Sequence, residues 1–260
     1  MKAIYLIPLA IVAILGVGEV AFAIKAWGDA PPEAIEAQVR KLQADFIPSP
    51  APIPDDNAKC STCDGFALMN VGQYDRAMAI FRRRAAEGDT VAMNNLGWMY
   101  RYGLGVPVDS AESLRWYQKA AALNDGSALA ALGDIYQNGL GVGADVPAAL
   151  KYYEMSAAVG DPSGAVSAGW MYQHGDGAPV DYGKAMRLYR QAAAKGERLA
   201  MNQIGFMFQN GLGVKVDLDT AWCFYAWSSA NGNERATAHI AELKAAGRIP
   251  PNSCDVVNHL

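Results

Sequence analysis

The sequence predicts an all-α solenoid of about four 36-residue helix-turn-helix repeats with capping helices at both ends. Three observations predict it. The stretch from Ala92 to Ser127 recurs three more times at an unvarying spacing of 36 residues. Stacked at that spacing, Gly97, Gly133, Gly169 and Gly205 coincide, as do Gly105, Gly141, Gly177 and Gly213, then Asp109, Asp145, Asp181 and Asp217, then Tyr117, Tyr153, Tyr189 and Tyr225. Within the unit, Met93, Leu96, Met99 and Tyr100 follow the rhythm of one helical face. A period of this length means stacked units, each burying its apolar face only against its neighbours.

Each unit reads as two helices. Gly103 lies just past the last periodic residue of the first, where glycine supplies a left-handed C-cap, and Gly105 keeps the following loop tight. Asp109 is the N-cap of the second helix, and Glu112 three residues on completes a capping box. On that helix Ser113, Tyr117 and Ala121 are expected to face inward, and Ala149, Ala185 and Ala221 let the partner helix approach closely.

The flanks follow from composition. Residues 1–23, MKAIYLIPLAIVAILGVGEVAFA, carry one Lys, an apolar run from Ala3 to Gly18 and an Ala21-Phe22-Ala23 processing pattern, so they read as a signal peptide cleaved after Ala23. The other reading is an uncleaved membrane anchor, although Pro8 and Glu19 leave only about 16 clean residues against the ~20 a span needs. No Cys follows the run, so a lipoprotein acylation site is absent. Residues 24–59 combine an amphipathic helix, with Ile35, Val39, Leu42 and Phe46 on one stripe, and a linker in which Pro48, Pro50, Pro52 and Pro54 forbid helix. Residues 60–91 form a shortened N-terminal capping hairpin, the four repeats run over 92–235, and 236–260 hold a capping helix and an irregular tail. The run Arg82-Arg83-Arg84 is read as a solvated face. A formal net charge of -4 argues against nucleic acid as a partner.

The pattern LG-x-x-Y-x-x-G-x-G-V, followed by Asp, a small residue, Tyr and AA-x-G, resembles the Sel-one-like repeat, a relative of the tetratricopeptide repeat, over roughly residues 64–245. The third unit departs from it: Ala168 stands in place of Leu, and Asp176 interrupts the G-L-G-V loop. The resemblance implies a right-handed superhelix and a non-enzymatic adaptor. In bacteria it implies an exported, periplasmic protein that binds an envelope protein or peptide. It also implies that the first helices line the concave surface. The columns they would present are Asn95, Ala131, Ser167 and Gln203; Trp98, Asp134, Trp170 and Phe206; and Tyr102, Asn138, His174 and Asn210. Large aromatics beside amides at such positions are typical recognition anchors.

Four cysteines in an exported chain point to oxidation. In a solenoid, Cys60 and Cys63 lie at one end and Cys223 and Cys254 at the other, roughly 40 Å apart, far beyond the ~7 Å that a bridge spans. Cys223 therefore pairs with Cys254. Cys60 and Cys63 are bridged to each other, free, or paired between molecules. Cys223 falls in the column of Arg115, Lys151 and Arg187, an outward one. The CSTC segment follows a proline spacer rather than a strand and has no His after Cys63, which argues against redox, zinc and haem roles. Cysteine-rich relatives linked to penicillin binding pair their cysteines within each repeat, a pattern this chain lacks. No G-x-S-x-G, H-E-x-x-H, S-x-x-K or Walker loop occurs, so neither a cofactor nor a metal is expected. Two classes of function follow. One is a non-catalytic scaffold, serving as assembly factor, sensor regulator or toxin-neutralising adaptor. The other is a cell-wall glycan- or peptide-binding or hydrolysing protein, in which Asp134 or Asp176 would act as acid or base.

Overall fold

A computed structural model of the chain describes residues 63–251 together with Cys254. The expected signal segment, amphipathic helix and proline linker, Cys60 and the side chain of Cys63 lie outside the described residues. The described residues form eleven helices and no strand: α1 (Cys63–Asn70), α2 (Tyr74–Ala86), α3 (Thr90–Tyr102), α4 (Ser110–Ala121), α5 (Gly126–Asn138), α6 (Val146–Ala158), α7 (Pro162–His174), α8 (Tyr182–Ala193), α9 (Arg198–Asn210), α10 (Leu218–Ala230) and α11 (Glu234–Ala245). None is long and apolar enough to cross a membrane.

Every junction is set by a side chain or a glycine. The first helices α3, α5, α7 and α9 end at Gly103, Gly139, Gly175 and Gly211, all in the left-handed region. Their N-caps are Asp89, Asp125, Asp161 and Glu197, each accepting from a backbone N–H of the first turn. The second helices α4, α6, α8 and α10 are capped by Asp109, Asp145, Asp181 and Asp217. The expected capping box forms only by half. Asp109 accepts from the Glu112 N–H at 2.9 Å, but its own N–H donates to the Tyr100 carbonyl. Glu112 turns instead to Arg115 at 3.0 Å. Asp176 does not disturb the third loop, because its N–H bonds the Met171 carbonyl as that of Leu104 bonds Met99.

The invariant Gly–Tyr columns are one packing device. A Cβ at Gly97, Gly133, Gly169 or Gly205 would come within 2.9 Å or less of the ring of Tyr117, Tyr153, Tyr189 or Tyr225 on the following helix. Each ring therefore lies flat on the bare backbone of the first helix, and carbon atoms normally approach no closer than about 3.5 Å. Phe81 over Gly65 repeats the device in the capping hairpin, with a loop four residues shorter than in the repeats. Ser113 is buried and its hydroxyl donates to the Gly97 carbonyl at 2.8 Å. The inward stripe of α4 ends on Ala120, which is fully buried, and not on the expected Ala121. At about 100° per residue, position 120 falls back over 113 while 121 is turned some 80° away.

A second glycine column joins unit to unit. Gly105 and Gly213, both at positive φ, press on Tyr74 and Tyr182, the first residues of the second helix in the preceding unit. The buried core falls into two clusters, one from Leu68 to Ile135 and one from Ala149 to Leu243. Tyr136 and Tyr152, stacked at 5.2 Å, span the seam. At the C-terminal end α11 buries Ala236 and Leu243, with Ile240 half-buried against the core. Cys223 and Cys254 are bridged. The bridge is the one expected from an outward column: Arg115, Lys151 and Arg187 are exposed at that position, and Cys223 is buried in its bond to Cys254.

Candidate functional site on the inner face

Of the consecutive first helices, α5 and α7 touch directly, whereas no two consecutive second helices make contact of that extent. The stack is therefore tighter on the side of the first helices at this point, which makes their side the inner face. The shortened capping hairpin brings Gly65 into the column of Gly97, and so puts Phe66 into the column of Trp98, Asp134, Trp170 and Phe206. Phe66, Trp98 and Trp170 are 40 %, 41 % and 39 % exposed, and they are the large exposed aromatics among the described residues. All three belong to one column on one face.

The two tryptophans are fixed by i,i+4 partners. Trp98 lies against Tyr102 with ring centroids 5.2 Å apart, and Trp170 stacks on His174 at 4.2 Å. The His174 Nδ1 also lies 2.9 Å from the Trp170 carbonyl, which ties the imidazole to its own helix. Phe206 behaves differently. It is half-buried against the core, and His239 of α11 stands 6.2 Å from its ring, so the capping helix covers it. His239 itself stacks on Tyr225 at 4.7 Å.

The polar candidates divide as well. Asp134 accepts from the Tyr153 hydroxyl at 2.6 Å and faces Arg101 at 3.7 Å. It is thus a structural acceptor, tying unit to unit. Burial, reinforced by the Asp134 charge, raises the Tyr153 phenol above the usual tyrosine range; burial does the same for Tyr117, Tyr189 and Tyr225. Tyr189 and Tyr225 donate to Gln173 and Gln209. Asn95, Asn138 and Asn210 turn their amide N–H back to the carbonyl four residues earlier. This ties each amide to its own helix. Gln203 lies 3.5 Å from the Tyr189 hydroxyl. Asp176 lies in the loop after α7, on a different element from Asp134, so the structure does not assemble them into an acid-base pair. No cluster of three or more His, Cys, Asp or Glu among the described residues could hold a metal ion.

At the N-terminal end of this face the helices α1, α3, α4 and α5 border an open pocket of about 410 Å³. Phe66, Met69, Asn94, Asn95, Trp98, Tyr117, Ser127 and Ala131 line it. Sequence reasoning placed Asn95 and Trp98 here and missed Phe66, Met69 and Asn94. The signal for Phe66 was present, since closing the four-residue deletion of the capping hairpin aligns it with Trp98.

Repeats of this construction are Sel1 repeats. The Sel1 family model matches residues 90–125, 126–161, 162–197 and 198–226, and the chain belongs to that family. A Sel1 repeat protein from Oxalobacter formigenes is 35 % identical with a TM-score of 0.68, over 74 % of this chain and 78 % of that one. A protective antigen of uropathogenic Escherichia coli strains, displaying an SLR fold, is 34 % identical with a TM-score of 0.63; the match covers 73 % of this chain and 43 % of the antigen. An immunity protein from Pseudomonas aeruginosa shares the fold at 21 % identity and a TM-score of 0.51, over 71 % of this chain and 70 % of its own. No curated protein matches. Sel1 repeats generally mediate protein–protein interaction, and their solenoids are typically non-catalytic.

Proposed function

We propose that this chain is a non-catalytic scaffold of the cell envelope that holds a protein or peptide partner on its inner face. The observation that carries the reading is the single column of exposed aromatics, Phe66, Trp98 and Trp170, on that face. Rings of this size left two-fifths in water favour a ligand that buries them, and anchors of this kind dominate interface energies. Trp98 and Trp170 stand two units apart, roughly 20 Å at the usual spacing of packed helices. A partner segment reaching both needs about six extended residues between its apolar contacts. The amide oxygens of Asn95, Asn138 and Asn210 would accept from its N–H groups. The Cys223–Cys254 bridge supports an oxidising compartment, in keeping with a processed export signal at residues 1–23.

The test is capture from envelope extract on immobilised protein, comparing the parent with Trp98→Ala and Trp170→Ala. A specific partner retained by the parent and lost from both variants is expected. Equal recovery on parent and variants would place the binding surface elsewhere. N-terminal sequencing of the secreted protein should begin at Ile24; a full-length membrane-bound product would refute the export step.

A further inference from the structure

The pocket between α1, α3 and α5 leaves Phe66 and Trp98 exposed on its wall. Asn94 is already committed: its amide nitrogen donates to Asp125 at 2.6 Å, and its Oδ1 is buried out of reach of an incoming group. What the trough offers is therefore apolar, and it fits a stiff apolar segment.

The chain carries such a segment just ahead of the pocket. Residues 47–54 read IPSPAPIP, with proline alternating with Ile47, Ser49, Ala51 and Ile53. Each residue before a proline is confined to extended backbone, and the segment cannot satisfy its own N–H groups internally. Its prolines have already removed much of the freedom that docking would otherwise cost. Stiff apolar segments of this kind dock in aromatic-lined grooves. The reach is sufficient. Residues 55–62 span up to roughly 26 Å when extended, and Phe66 lies only about 4.5 Å along α1 from Cys63. The segment itself covers about 25 Å, against roughly 16–20 Å for two interhelical steps from α1 to α5. A tether this short gives an effective concentration on the order of millimolar.

We infer that residues 47–54 dock in cis in the α1–α3–α5 pocket, with apolar side chains on Phe66 and Trp98. The first station of the inner face is then filled by the chain itself, and Trp170 is left for the partner. The inference shares its surface with the proposed function but does not need the partner to be known.

The test is photo-crosslinking of the full-length chain with p-benzoylphenylalanine in place of Phe66, and separately in place of Asn95 in case the first position perturbs folding. Irradiation of dilute protein, digestion and mass spectrometry should give adducts within one chain, on residues 47–54. The double variant Ile47→Asp/Ile53→Asp should lower their yield about tenfold, as expected for loss of one to two kcal/mol of docking. Adducts confined to residues 35–46 or to other segments, adducts joining two chains, or no adducts at all would each overturn the inference. Partner capture through Trp170 is read independently, so failure of the cross-link leaves the scaffold reading standing, and the reverse.

Discussion

Cutting the terminal bridge at its exposed end gives the sharpest quantitative test of the fold. Cys254 is exposed and Cys223 buried, so Cys254→Ser removes the cross-link with little change in packing. With a sequence separation of 31, the chain-entropy relation gives about 12 cal/mol/K, or roughly 3.7 kcal/mol at 25 °C. For a chain of this size each kcal/mol moves the midpoint by about 2–4 °C, so the melt should fall by roughly 7–15 °C. In a solenoid the loss is local. Hydrogen exchange should therefore accelerate in α10 and α11 first, and leave α3 and α4 near their parental rates. The assay is calorimetry and exchange on the parent, C254S and the parent under reductant. A midpoint unchanged within about 2 °C, or exchange rising evenly along the chain, would refute the reasoning.

Other outcomes follow from the same packing. Gly133→Ala should cost about 1–3 kcal/mol in denaturant titration, because its Cβ must displace the Tyr153 ring, whereas Gly143→Ala, which meets nothing, should be neutral. Tyr153→Ala should cost about 3–5 kcal/mol. Trp98→Ala and Trp170→Ala should cost much less stability but at least about 2 kcal/mol of partner binding. Should they unfold the protein as readily as Tyr153→Ala, the aromatics are packing residues. The folded phenols of Tyr117, Tyr153, Tyr189 and Tyr225 hold their protons to higher pH than the unfolded ones. The unfolded chain then binds fewer protons once pH exceeds about 10, so stability should be flat below that and fall above it. Absorbance should show these four ionising only as the protein unfolds; phenolate signal from all tyrosines before unfolding would contradict their burial.

Most of the architecture was legible because it is local or strictly periodic. Gly103, Asp109 and the Tyr column act within one turn or one hairpin, and the 36-residue spacing turns each local rule into four. What the sequence hid depends on distant partners. Asp134 reads as a groove residue until Tyr153 and Arg101, 19 and 33 positions away, are seen to hold it. Phe206 reads like Trp98, but only the last unit is overlaid by α11. The candidate site was half legible: the Trp98 and Trp170 column stood in the repeat, while Phe66 was masked by a four-residue loop deletion and Asn94 by a carbonyl whose missing donor only coordinates reveal.

The loop glycines that press on the preceding unit have a consequence for how such a molecule can change its length. Gly105 and Gly213 meet the same position of the second helix one unit back, so the contact is reproduced when a complete 36-residue block is copied or deleted. Anything less than a block shifts the glycine off its seat, and a side chain then strikes backbone. Growth and shrinkage are thereby quantised. A duplication in the reading frame of the unit extends the inner face by one more first helix and one more set of side chains, without renegotiating the joints on either side. The binding surface can thus lengthen in fixed increments, like a ruler extended by whole divisions, while its curvature stays the same.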